Sequence, residues 1–123
     1  MLTAAADAID FDAGTPALAA ALVRFALDYL RAHRALGAVR DHDVDQLLRL
    51  VVPHAGADLT VIDLVARTVA PVLAVEPHAG RLRCQPLQAA ELLVRTVLSV
   101  YLSPSDALSD DEIATAAAAS VCR

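Results

Sequence analysis

The stretch LQAAELLVRTVLSVYL, residues 87–102, decides the fold. It follows Pro86, a residue suited to the first turn of a helix, and its polar residues Gln88, Glu91, Arg95 and Ser99 recur at steps of three and four. Glu91 precedes Arg95 by four, the favourable order for an ion pair along a helix. Everything outside that narrow stripe is apolar and needs cover, so the neighbouring segments must pack around this helix.

Those segments read as further helices. Residues 58–75 are apolar on nearly every side, relieved only by Thr60, Asp63, Arg67 and Thr68, which predicts a central buried helix. Pro71 lies inside it, removes the donor to the Arg67 carbonyl and predicts a kink; Gly80 suits a left-handed cap beyond it. Thr15-Pro16 is a helix start, with Leu18, Leu22, Phe25, Tyr29 and Ala32 or His33 on one side and Arg24, Asp28 and Arg31 on the other, ending near Leu36-Gly37. Asp41-His42-Asp43-Val44-Asp45 opens a shorter helix with Leu47, Leu48 and Val51 on one face, and Pro53 stops it. After Ser103-Pro104, Ser109 and Glu112 form a capping box before a last helix striped by Ile113, Ala114, Ala117 and Val121. The short, Ala-rich and acidic segment from Ala4 to Asp12 reads as a frayed terminus, with the tail of a helix as the alternative. Pro-His-Ala-Gly occurs at residues 53–56 and 77–80, but the flanks share no pattern, so no internal repeat is inferred.

Composition agrees with an all-α protein: a helical bundle of about five helices formed by residues 1–123 as a single domain. Of 123 residues 57% are hydrophobic and 3% aromatic, with Ala, Leu and Val carrying the apolar content and only four glycines. There are ten arginines, no lysine and fifteen acidic residues, a net charge of −5. The chain alone therefore lacks the cationic footprint that DNA binding needs. Missing lysine reads as coding bias in a GC-rich bacterium. No basic, apolar leader opens the chain, and its uncharged apolar runs fall far short of the about 18 residues needed to span a bilayer, which predicts a cytoplasmic protein without membrane contact. Cys84 and Cys122 match no motif and are expected to be reduced thiols unless the fold brings them together.

Candidate chemistry is sparse. His33, Asp41, His42, Asp43 and Asp45 are metal-ligand types, yet their spacing points them in different directions and suits a solvated helix start, so no metal site is assigned. His54 and His78 stand alone, as surface or hydrogen-bonded residues. Ser99, Ser103, Ser105, Ser109 and Ser120 lie in no glycine-flanked elbow, Cys84 has no motif-placed histidine, and no glycine-rich loop cradles a phosphate. Neither catalysis nor a cofactor is expected. The surplus of apolar helix surface predicts self-association about a two-fold axis.

The run from Glu91 to Ser99, then Tyr101-Leu102-Ser103-Pro104 and the acidic start at Asp110 to Glu112, resembles the C-terminal end of TetR-family transcriptional regulators. Ala66-Arg67 through Ala70-Pro71-Val72-Leu73-Ala74, the Ala79 to Arg83 connection, and the helix carrying Tyr29-Leu30-Arg31-Ala32-His33 are similar to the family's central helix, its exit and the helix after its linker. The resemblance implies a regulatory body that binds a small, often apolar effector and forms a homodimer. Its last two helices would make a dimeric four-helix bundle, through Leu92, Arg95, Ser99, Ile113, Ala114, Ala117 and Val121. The effector pocket is expected between the first, central and residue 87–102 helices, lined by Leu22, Phe25, Tyr29, Leu64, Thr68 and Leu93, with Thr68 and the Arg67 carbonyl orienting a polar end. The family's DNA-reading head matches nothing here, so operator contacts fall on no residue of this chain. Rival readings are a helical scaffold without ligand, a headless partner of a full-length regulator, and a small enzyme or metal protein using the His42 region.

Overall fold

The structure is a computed structural model and describes residues 9–11, 13–52 and 59–123. Its helices are α1 (Thr15–Ala32), α2 (Arg34–His42), α3 (Val44–Val51), α4 (Val61–Ala74), α5 (Pro86–Leu102) and α6 (Asp110–Val121), with a 3₁₀ turn at Ala79–Arg81. The chain is an all-α bundle, as its periodicity predicts. Packing follows two close pairs, α4 on α5 and α1 on α6, with α5 also against α1 and α6. No helix among the described residues is long and apolar enough to cross a membrane.

Small residues set the helix spacing. Ala19 of α1, Ala89 and Ala90 of α5, and Ala114, Ala117 and Ala118 of α6 are all buried, so backbones approach closely around Leu18, Val23, Leu27, Leu73 and Val121. Each fully buried Leu or Val contributes roughly 1.5–3 kcal/mol of transfer free energy. Arg24 and Arg31 on α1 both reach Asp110 at the start of α6, the Arg24 contact at 2.9 Å, and this ties the antiparallel pair at one end. At the other end residues 81–83 run antiparallel to residues 121–123: Arg83 N–H donates to Val121 O and Arg123 N–H to Arg81 O, each at 2.8 Å.

Four local expectations change. The first helix stops at Ala32 because the His33 ring accepts the Leu36 N–H at 3.2 Å, capping a separate α2. Asp41 and His42 therefore end a helix, and Asp43 caps α3 by accepting from Gln46 N–H at 3.3 Å. Gly80 lies in the 3₁₀ turn; α4 ends instead at Ala74, with Val75 extended. The fourth concerns α4, which runs through Pro71 at the side of the bundle rather than its centre: Ile62, Ala66 and Leu73 face inward, while Leu64 is 53% exposed. The expected residues 53–58, including His54 and the first Pro-His-Ala-Gly, lie outside the described residues.

Arg40 of α2 stacks on the Tyr101 ring, 4.8 Å from its centroid, and so holds α2 to the end of α5. Phe25, Tyr29 and His33 form an aromatic ladder along α1, with centroids 6.3 and 6.0 Å apart.

Candidate functional site

A groove of about 680 Å³ opens where the segment entering α1 meets the end of α4 and the following loop. Its apolar walls come from Phe11, Pro71, Val72, Val75 and Pro77, and its polar groups are Thr15, His78, Glu76 and Arg81. The local sequence explains the geometry. Pro16 favours helical backbone at the second position of α1, and Gly14 occupies the N-cap without a side-chain cap. The Thr15 hydroxyl does not serve its own helix, as a Thr-Pro start suggests; it bonds His78 Nδ1 at 2.8 Å. His78 Nε2 lies 3.3 Å from the Phe11 carbonyl. A carbonyl only accepts, so Nε2 donates in that contact, while the Thr15 hydroxyl, which both donates and accepts, satisfies Nδ1. The imidazole, 6% exposed, is satisfied at both nitrogens.

A hydroxyl held on an imidazole is also how nucleophiles are activated. Here Thr15 is 1% exposed, and its oxygen is not open to attack on a bound group. Cys122, outside the groove, is buried, and burial pushes its thiol up, against a weaker opposing pull from Arg83. The groove combines apolar walls, a fixed polar floor and a volume within the range of small-molecule sites.

The six residues expected to line a pocket do not converge on this groove. Leu22, Phe25 and Tyr29 are half-buried on α1, with Leu22 and Phe25 packed on the core, and Leu93 is 4% exposed and part of that core. Leu64 and Thr68 face outward, and the Thr68 hydroxyl already donates to Leu64 O at 2.9 Å. The residues at the groove were missed, except that Pro71 was singled out for its effect on the Arg67 carbonyl. Nothing local marks His78 or Thr15 as partners; only the fold joins them.

Of the residues expected between subunits, Leu92, Arg95 and Ser99 are exposed on α5, and Arg95 pairs with Glu91 at 2.7 Å. Ile113, Ala114, Ala117 and Val121 are corrected: all four are buried within one chain, where α6 packs on α1. The stripe on the last helix is matched inside the bundle and is not available to a second copy.

Comparison with protein-family models, curated proteins and solved structures finds no match in any of the three.

Proposed function

We propose that the chain is the effector-binding body of a TetR-like transcriptional regulator, a cytoplasmic domain that takes a small, largely apolar molecule into the groove beside His78. The observation that carries this reading is the groove itself: about 680 Å³, apolar walls and a buried Thr15–His78 pair fixed at its floor. A ligand there touches both the segment entering α1 and the loop leaving α4. Unequal contacts with two arrangements of those segments would shift their populations, which is what an effector must do. In this reading DNA is contacted by a separate reading head, because the net charge of −5 does not suit this body to phosphates. Homodimerisation uses the outward side of α5, at Leu92, Arg95 and Ser99, together with exposed Leu64 and Val65 of α4, which packs on α5.

The test is thermal shift against a panel of small apolar and amphipathic molecules, with Val72→Trp to fill the groove. Binding by the natural sequence that Val72→Trp abolishes, with the fold intact by circular dichroism, is the expected result. Binding by neither protein would favour a helical scaffold without ligand, a reading supported by the core packing of Leu22, Phe25 and Leu93.

A further inference from the structure

The fold brings together the chain's two cysteines, Cys84 and Cys122, both free thiols. Leu82 and Cys122 face each other in the short antiparallel contact between the loop after α4 and the residues leaving α6. The Arg83 N–H to Val121 O and Arg123 N–H to Arg81 O bonds flank that pair and do not join it, so it is the narrow kind, with side chains close together. Exposure alternates along Leu82, Arg83, Cys84 and Gln85, which puts Cys84 on the inward side with Leu82 and makes it the diagonal neighbour of Cys122. Burial agrees: Leu82 and Cys122 belong to the core, and half-buried Cys84 packs against it. Cys84 is also near enough to add to the upward push that burial gives the Cys122 thiol. Diagonal neighbours lie about 7–8 Å apart at Cα and closer at Cβ, against about 4.4–6.8 Å in a disulfide, so bridging needs a closure of roughly 1–2 Å. Cys84 can supply it, because it lies beyond the Arg83–Val121 bond, where the backbone bends. Among the described residues no third cysteine, histidine or carboxylate joins the two thiols, which suits them to each other and not to a metal.

We propose that Cys84 and Cys122 are a redox pair, oxidised by hydrogen peroxide to a disulfide that clamps the loop after α4 to the end of α6. The more exposed Cys84, as thiolate, attacks one peroxide oxygen and breaks the O–O bond, leaving a sulfenic acid and, after protonation, one water. Cys122 then attacks the Cys84 sulfur and gives up its thiol proton, and the sulfenic oxygen leaves as a second water. The two thiols together lose two electrons, and one peroxide becomes two waters. Burial keeps Cys122 from reacting first, whereas a sulfenic sulfur beside it needs no approach from solvent. The bond closes a loop that holds the whole of α5 and α6, and so restricts the unfolded chain.

Thiol mapping tests it. The dilute, folded chain is treated with hydrogen peroxide, alkylated under denaturing conditions and mapped by mass spectrometry without reduction. The expected result is loss of both alkylatable thiols, a single linked Cys84–Cys122 peptide, full reversal by dithiothreitol, and a melting temperature about 10 °C higher in the oxidised form. In Cys122→Ala, Cys84 should stop at a sulfenic acid that dimedone traps; in Cys84→Ser, Cys122 should stay unmodified at the same dose. Over-oxidised Cys84 beside an intact Cys122, a link between two copies of the chain, or two intact thiols at a dose that oxidises free cysteine each overturns the pair. A linked peptide without a rise in melting temperature overturns the clamp.

Discussion

Thr15 and His78, separated by 63 positions in the chain, meet in a buried hydrogen bond of 2.8 Å that joins the first turn of α1 to the loop after α4. The bond closes the floor of the groove and leaves the imidazole without spare capacity. Thr15→Val keeps the shape and removes the hydroxyl, leaving a buried Nδ1 without its partner. It is expected to cost about 1–3 kcal/mol in urea unfolding, with Thr15→Ser recovering most of it. Equal stability of Thr15→Val and the natural protein would mean that the bond does not hold this corner together.

Tyr101 presents the opposite case. Its side chain is 2% exposed and its hydroxyl has no hydrogen-bond partner among the described residues. A buried hydroxyl without a partner gives up its hydration for nothing. Tyr101→Phe keeps the ring beneath Arg40 and is predicted to be neutral or to stabilise by up to about 1 kcal/mol. A fall in melting temperature would show that the hydroxyl has a partner in solution, such as a water.

Asp110 is held by Arg24 and Arg31 and sits in the first turn of α6, where negative charge is favourable. Both arginines are more than a third exposed, so screening reduces the effect. Asp110→Asn is predicted to lose about 1 kcal/mol at low ionic strength and clearly less in 0.5 M salt. A loss independent of salt would assign the role of Asp110 to packing rather than charge.

Two capping boxes set the acid limb of stability. Hydrogen bonds from the Thr60 backbone and hydroxyl hold the Asp63 carboxyl below its ordinary value, and Ser109 does the same for Glu112. A carboxyl lowered on folding binds its proton less readily in the folded state, so it contributes stability above its unfolded value of about 4 and loses it as pH falls through the folded one. Glu112→Gln and Asp63→Asn should therefore be less stable than the natural protein at pH 7 and approach it below about pH 4. A difference that stays constant with pH would contradict the capping geometry.

The two faces of the last helices separate stability from association. Val121 is fully buried between α6 and α1, and Val121→Ala removes core contacts in a single chain, at a cost of about 1–3 kcal/mol. Leu92 is 47% exposed on α5, and Leu92→Arg should leave the monomer's stability within about 0.5 kcal/mol while shifting any dimer seen by light scattering towards monomer. Dissociation by Val121→Ala without loss of stability would place the interface on α6 after all.

What was legible in the sequence was local. The Ser109–Glu112 box, the Pro86 start and the Glu91–Arg95 pair depend on neighbours within four residues, and all three form as their spacing predicts. The break at His33 was not legible, because Ala32-His33-Arg34 contains neither Gly nor Pro; an imidazole acting as a cap ends α1. The side position of α4 was hidden for another reason. An apolar run reports that cover is wanted, not that it is given, and Leu64 remains exposed. The same limit applies to the last helix, whose stripe was visible but whose partner, α1, was not. The groove was least legible of all, since residues 11, 13–15 and 71–81 meet only in three dimensions.

The most direct measurement is an amide chemical-shift titration of the isotope-labelled chain with decanoate. The groove reading predicts that saturable shifts concentrate at Gly14, Thr15, Val72, Val75, His78 and Arg81, the residues that line it. Shifts centred instead on Leu22, Phe25, Tyr29 and Leu93 would place the ligand inside the bundle and contradict the groove as the site.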